Sequence, residues 1–270
     1  MTGAAIVTGG GRGIGRAIGA ALAERGHDVV LADLDIDAAT ASAEALGPRV
    51  TAARLDVTDA DAVTALVEAT AARHGRLAWM VNNAGVGVAG AFDATGLDDW
   101  RRAIDVNLFG VVHGCRAALA VMRPAGGGHI VNIASGAGLA PRPGMVAYAA
   151  AKHAVVGLST SLRAEAALDG VTVHAVCPGY VETGIMDRTA WRGVDGAKVV
   201  AGIPIRGVTP EKCASVVLRG VRRDRAIIPV TAVTHLEWRL YRFAPWLLGP
   251  VFRARARVFR RHASDASDAP

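Results

Sequence analysis

The chain has 270 residues, 51% of them hydrophobic but only 5% aromatic, so its core rests mainly on Ala, Val, Leu and Ile, and the length suits one large α/β domain. Its net charge of +6 is uneven: residues 1–200 carry 17 Lys/Arg against 19 Asp/Glu, whereas 201–270 carry 13 against 5, and the basicity belongs to the C-terminal quarter. The start lacks the pattern of a secretory signal, no uninterrupted apolar run of about 18 residues suggests a spanning helix, and Cys115, Cys177 and Cys213 are too scattered for a metal site and read as reduced cytoplasmic thiols.

Ala4–Thr8 is a short apolar run that leads directly into Gly9-Gly10-Gly11-Arg12-Gly13-Ile14-Gly15. Ile14, Ala17, Ile18, Ala21 and Leu22 then recur on one helical face. In this strand–turn–helix context the glycines let the backbone turn tightly and approach a pyrophosphate at the positive end of the helix. The second apolar run, Val29–Ala32, ends at Asp33, whose carboxylate can hydrogen-bond ribose hydroxyls and repels a 2′-phosphate. Arg12 pulls the other way, since a guanidinium in the turn could meet that phosphate. Asp33 is followed by Leu34 and Asp35, so negative charge dominates locally, and NAD is expected over NADP.

Residues 37–46 read as a helix, Val50–Leu55 as a third strand closing on Asp56-Val57, and Asp59–His74 as a helix with Ala62, Val63, Leu66, Val67 and Ala69 towards the core. Leu77–Val81 is a fourth strand, followed by Asn82-Asn83-Ala84-Gly85 at the carboxyl end, where parallel sheets bind ligands. The segment 98–123 reads as one or two helices with Asn107 in the middle, where its amide competes for backbone hydrogen bonds. His129–Ala134 is a strand with Ser135 at its end. Tyr148 and Lys152 stand four apart in an Ala-rich helix running to about Leu168, on one face and one turn apart. An ammonium beside a phenol favours phenolate and is expected to lower the tyrosine pKa from about 10. Val171–Cys177 is a strand running into Pro178-Gly179-Tyr180-Val181-Glu182-Thr183. Gly184–Val208 has no clear period and reads as a functional loop. Thr209 caps a helix opened by Pro210 and ending near Val221, and Ala226–Val230 is a final short strand. His153 and Cys177 read as packing residues.

Taken together, Thr8-Gly-x-x-x-Gly13-Ile14-Gly15, Asp56, Asn82-Asn83-Ala84-Gly85, Asn107, Ser135, Tyr148-x-x-x-Lys152 and Pro178-Gly179 with Thr183 resemble the short-chain dehydrogenase/reductase family over roughly residues 3–230. The resemblance implies an α/β fold, a doubly wound seven-stranded parallel sheet of Rossmann type, in one domain spanning 1–230 with a substrate loop at 184–208. It also implies a catalytic set: Tyr148 as general acid or base, Lys152 lowering its pKa and holding the nicotinamide ribose, Ser135 stabilising the alkoxide, and Asn107 holding a relay water. The cofactor would be framed by Gly9, Gly13, Ile14 and Gly15 at the pyrophosphate and by Asp33, Leu34, Asp56 and Val57 at the adenosine. Asn83, Ala84 and Gly85 would line the ribose side, and Pro178, Gly179, Val181 and Thr183 the nicotinamide. Arg12 reads as a solvated turn residue, with phosphate contact as the alternative. A homotetramer or dimer built on the 105–123 and 148–168 helices is also implied.

The family pattern stops near Val230, and 231–262 forms a basic, aromatic helical extension. Trp238, Tyr241, Phe243, Trp246 and Phe252 alternate with Arg239, Arg242, Arg253, Arg255, Arg257, Arg260 and Arg261, and Pro245 and Pro250 should divide the segment into two helices with a short turn. Packing as a lid or subunit interface is the first reading of 233–262, peripheral membrane contact the second; nucleic acid is not expected beside an acidic catalytic body. Residues 263–270 read as a disordered tail. With Met145, Tyr180, Met186 and Trp191 near the expected mouth, the substrate expected is a small lipophilic secondary alcohol or ketone, steroid-like or acyl. The alternatives are an NADPH-dependent carbonyl or 3-oxoacyl-carrier reductase and, less in keeping with an intact Tyr148 and Lys152, a non-enzymatic nucleotide-binding regulator.

Overall fold

The computed structural model describes residues 3–201 and 207–262. The expected disorder of 263–270, and the part of the 184–208 loop from 202 to 206, lie outside the described residues. In chain order the elements begin β1 (Ala4–Thr8), α1 (Gly13–Ala23), β2 (Asp28–Asp33), α2 (Ile36–Leu46), β3 (Val50–Arg54), α3 (Ala60–His74), β4 (Leu77–Asn82) and β5 (Val88–Gly90). There follow α4 (Leu97–Ile104), a π-helical turn (Asp105–Phe109), α5 (Gly110–Met122), β6 (Gly128–Ile133), α6 (Val146–Ala166), β7 (Val171–Cys177), β8 (Ala190–Arg192) and α7 (Gly196–Ala201). The chain continues through α8 (Pro210–Arg222), β9 (Ile227–Pro229), α9 (Ala232–Phe243) and α10 (Pro245–Arg261).

Seven strands form one parallel sheet in the order β3-β2-β1-β4-β6-β7-β9. β1 and β4 are buried along their whole length, as strands covered by helices on both faces must be. The two sheet faces carry separate cores. One is centred on Ile6, Leu77, Met80 and Ile130, the other on Ile18, Leu22, Leu31 and Val131. After β3 the chain returns to the opposite side of β1, and the crevice at that reversal, at the carboxyl ends of β1 and β4, is where doubly wound sheets bind ligands.

Several local expectations change. Ala69 is exposed; Thr70 takes the buried place after Val63 and Val67, returning its hydroxyl to Leu66 O at 2.7 Å. His153 is exposed too, its ring nitrogen 2.9 Å from Ala149 O. The loop from Gly184 contains α7 and β8, and β8 pairs in parallel with β5 in a second small sheet. Pro250 does not interrupt α10, whose start is Pro245. The residue before it is Gly249, which lacks the Cβ that normally clashes with a following proline ring. The helical run Leu97–Met122 contains an 18-residue window apolar enough to cross a bilayer, yet α5 packs against β4 and α3 as a core helix.

Candidate active site

The glycine turn is held by side chains that converge from β1 and β4. Gly9 and Gly13 have φ of 60° and 55°, a region that glycine enters without strain. A Cβ on Gly15 would lie 2.3 Å from Gly9 O and 2.6 Å from Asn83 Nδ2, so no side chain fits there. Thr8 Oγ1 accepts the amides of Asn83 and Ala84 at 3.0 and 3.1 Å, and Asn83 Nδ2 donates to Thr8 O and Gly9 O, both at 2.9 Å. Asn83 is therefore a brace of the turn. Its neighbour Asn82 points instead into the core, donating to Asn132 Oδ1 at 2.8 Å, and Asn132 in turn donates to Ser159 Oγ at 3.0 Å.

At the tip of β2, Asp33 accepts Gly11 N at 2.9 Å on one oxygen and Asp35 N at 3.1 Å on the other. Each oxygen keeps a lone pair for a further donor. Arg12 forms an ion pair with Asp35, so its charge is already matched. Leu34 is exposed beside them, and Ile14 packs on the core beneath the turn. Asp56 Oδ1 accepts both the amide and the hydroxyl of Thr58 at 2.9 and 2.8 Å, and Val57 is buried with its carbonyl 2.9 Å from His113 Nδ1.

Ser135 follows β6 in extended geometry, its Oγ accepting Ala137 N at 3.1 Å and reaching the Tyr148 phenol by a hydrogen bond. Lys152 is buried; its Nζ donates to Ile133 O at 2.9 Å and lies 5.7 Å from the Tyr148 ring centre. Burial pushes the Lys152 ammonium down to about 8. It also raises Tyr148, outweighing the Ser135 hydrogen bond and the Arg142 charge that pull the other way. The expected lowering of Tyr148 by Lys152 is thus reversed in the protein alone, because the same low-dielectric pocket disfavours the charged form of both groups.

Asn107 is fully buried in the π-helical turn. Its amide donates to Ala103 O at 2.9 Å and Val86 O at 3.1 Å, and its Oδ1 accepts Val86 N at 3.1 Å. Only the second lone pair of Oδ1 is left for a water. A Cβ on Gly85 would come within 2.8 Å of that oxygen and 3.7 Å of Lys152 Nζ, so the two groups face the space that a side chain at this position would take. Cys177 is buried close by, and desolvation raises its thiol to about 12, which keeps it inert.

On the far wall, Pro178 O accepts Gly136 N at 2.7 Å, Val181 is buried and bridged to Val208, and Thr183 lies against Gly13. The C-terminal extension is seated on this rim. A Cβ on Gly179 would meet Thr234 Oγ1 at 2.8 Å, and one on Gly144 would meet the Phe259 ring at 2.4 Å. Gly144 O in turn accepts Gly90 N at 2.7 Å. Arg142 donates to both carboxylate oxygens of Glu237 at 2.7 and 2.8 Å, and Arg255 donates to Oε1 at 2.6 Å.

Burial pushes the Glu237 carboxyl up, but the two guanidiniums outweigh it and hold the group below the usual carboxylate range. The ion-paired cluster of Arg142, Glu237 and Arg255 has no sequence signature, because Arg142 and Glu237 stand 95 residues apart. Glu237→Gln is expected to cost about 2–4 kcal/mol, since it leaves two partly buried guanidiniums without their anion. The wild-type advantage should be present above the ordinary glutamate pKa near 4.5 and vanish as pH falls through the lower folded value. Urea unfolding of both forms at pH 7 and pH 3 measures it; equal stability at pH 7 would show that the triad contributes nothing.

Residues 3–192 match the family model for short chain dehydrogenases. A protein named "Probable oxidoreductase EphD" in Mycobacterium tuberculosis (strain ATCC 25618 / H37Rv) is 36% identical over 92% of this chain, which spans only 44% of that relative's length. A D-β-hydroxybutyrate dehydrogenase of Rhizobium meliloti (strain 1021) is 35% identical over 87% of this chain and 97% of its own. A crystallised short chain dehydrogenase/reductase from Burkholderia phymatum, in complex with NAD, superposes with a TM-score of 0.83 at 28% identity over 98% of both chains. With the glycine turn and the Ser135, Tyr148 and Lys152 cluster at one rim of the sheet, the chain belongs to the short-chain dehydrogenase family.

Proposed function

We propose that the protein is an NAD-dependent oxidoreductase transferring a hydride between nicotinamide and a lipophilic secondary alcohol or ketone, steroid-like or acyl in character. The observation that carries this reading is the convergence of Tyr148, Ser135 and Lys152 on the rim that also holds the glycine turn. At Gly9 and Gly15 the turn packs too closely on Asn83 and on its own backbone to admit a Cβ, and a tight glycine turn opening a helix suits a pyrophosphate at the helix N-terminus. Asp33 would hold the adenosine ribose, Val57 and Asp56 the adenine side, Lys152 the nicotinamide ribose, and Val181 with Thr183 the carboxamide. When bound, the nicotinamide supplies or accepts the hydride. In reduction, Tyr148 Oη gives its proton to the substrate oxygen while Ser135 Oγ donates a hydrogen bond to that same oxygen. In oxidation the phenolate takes the alcohol proton. The Lys152 ammonium offsets the charge left on Tyr148, and Asn107 Oδ1 would hold the water that returns a proton to Lys152.

The preference for NAD rests on two features: the Asp33 carboxylate has lone pairs free for donors, and Asp35 already neutralises Arg12. Asp33→Asn is expected to weaken NADH binding about tenfold, the loss of one charge-assisted hydrogen bond, and to improve NADPH binding. Fluorescence titration of both cofactors tests this; a wild-type protein that binds NADPH more tightly than NADH would overturn the assignment. Substrate class is supported by Tyr180 and Met186, which line one pocket with Ile185 and Val200, and by Trp191, whose Nε1 donates to Met186 O at 3.2 Å; Met145 stands at the start of α6. Oxidation and reduction screens across steroids, acyl thioesters and sugars would decide it, and turnover of sugars alone would sink the lipophilic reading.

The stripe Ala150, Ala154, Gly157 and Ser161 on α6, exposed except for the half-buried Ala154, suits close helix pairing between copies in a dimer or tetramer, as does the exposed Phe109. The three free cysteines, all buried, accord with a cytoplasmic setting.

A further inference from the structure

We propose that the outer face of α9 and its elbow with α10 dock on an anionic membrane surface. A helix packed on a protein body normally turns its apolar stripe inwards. α9 does the reverse for half of its apolar residues. Thr234 and Glu237 are its buried positions, whereas Val233, Leu236 and Phe243 face outwards, with Leu236 59% and Phe243 77% exposed. The stripe continues around the elbow through Trp246, which is 72% exposed, Leu247 and Val251. The aromatic content of the chain is only 5%, so two aromatics left bare at one corner are not a by-product of composition.

The elbow is not loose: Tyr241 and Phe252 meet edge to face with ring centres 5.8 Å apart, and Arg142 and Arg255 clamp Glu237 from beneath. A preformed apolar apex is thus presented on a rigid support.

Charge selects the occupant. Residues 232–262 contain seven arginines and one carboxylate, so this segment alone accounts for the net charge of +6 of the whole chain. The carboxylate, Glu237, is buried and already paired, which leaves the outer face with Arg239, Arg242, Arg253 and Arg257 exposed and, among the described residues, without an ion-pair partner. Two copies meeting through this face would bring like charges together, with no counter-charge from the described residues of α9 and α10. Anionic lipid headgroups supply it, while their acyl region accepts Phe243, Trp246 and Leu247, the arrangement of an interfacial helix. Because the same helices roof the Gly136–Gly144 rim, docking would bring the substrate mouth to the bilayer surface. The proposal does not depend on which substrate is turned over.

The test is co-sedimentation of the full chain with phosphatidylcholine vesicles, with and without phosphatidylglycerol. The protein is expected to pellet with the anionic vesicles at low salt and to be released by added salt. A Phe243→Ser/Trp246→Ser variant should lose about a hundredfold in partitioning, or about tenfold per apolar side chain, while its melting temperature and NADH binding stay as in the wild type. Three outcomes would overturn the proposal: no pelleting with anionic vesicles at low salt, equal pelleting of the variant, or loss of an oligomer in the variant, which assigns the face to a second copy. Retardation of duplex DNA without vesicle binding would assign it to nucleic acid, with the same consequence.

Discussion

Tyr148→Phe is expected to lower turnover by about 10²–10⁴-fold, the usual contribution of a positioned general acid–base group, while leaving NADH binding and thermal stability nearly unchanged. The phenol hydroxyl is what the variant loses: its hydrogen bond with Ser135 disappears, but the ring, packed beside Lys152, remains. The pH dependence carries further information. In the protein alone, burial raises the tyrosine pKa, so at neutral pH the group is poised to give a proton and reduction is favoured chemically. Oxidation needs the phenolate, and its rate should climb with pH until Tyr148 has ionised. Steady-state kinetics in both directions check this. Full activity in the Phe variant, or an oxidation rate independent of pH, would remove Tyr148 from the chemistry.

Lys152→Met should abolish activity and, at the same time, stabilise the fold at neutral pH. The Lys152 ammonium is buried with one carbonyl partner, and its pKa of about 8 lies below the ordinary 10.5. The unfolded chain therefore holds the proton up to about 10.5, and the folded chain releases it near 8. Between these values the unfolded state binds more protons, so wild-type stability rises with pH across that window, while below pH 8 the cost of burying the charge is fully present. Methionine has no such cost. The variant should be more stable than the wild type by about 1–2 kcal/mol at pH 7, with the gap closing towards pH 10.5. Denaturant unfolding at the two pH values measures it. A variant less stable than the wild type at pH 7 would mean that the cavity compensates the ammonium.

The parallel sheet is legible in the residues because its strands are buried on both faces and read as unbroken apolar runs: Ala4–Thr8, Leu77–Val81 and Val171–Cys177 differ from the observed bounds by at most one residue. Helix caps were equally plain, as with Thr209, whose Oγ1 accepts Lys212 N at 3.2 Å. The site positions at the carboxyl rim followed from strand ends alone. What stayed hidden depends on the third dimension. β5 and β8 are three residues each and stabilise one another only by pairing across a hundred residues of chain. The fate of Asn82 and Asn83, adjacent and identical, is decided by strand alternation: one faces Asn132 in the core and the other faces the glycine turn. The ionisation of Tyr148 is not legible either, because spacing conveys charge but not burial. The seating of Glu237 between two arginines from different elements had no trace in any window of sequence.

The π-helical turn around Asn107 has a consequence for how this site can change. A wide turn is an α-helix with one residue too many, and each residue advances a helix by about 100°. Deleting one position from Asp105–Phe109 would let the helix close up into regular α geometry without a break. Because the wide turn takes five residues through the angle that four cover in an α-helix, α4 and α5 on either side would keep their present faces. Only the residues inside the turn would be re-aimed, and Asn107, at its centre, would swing away from Gly85 and Lys152. The helix would survive as a helix and the site would not, so the relay position is fixed by the phase of the helix as much as by the identity of its asparagine.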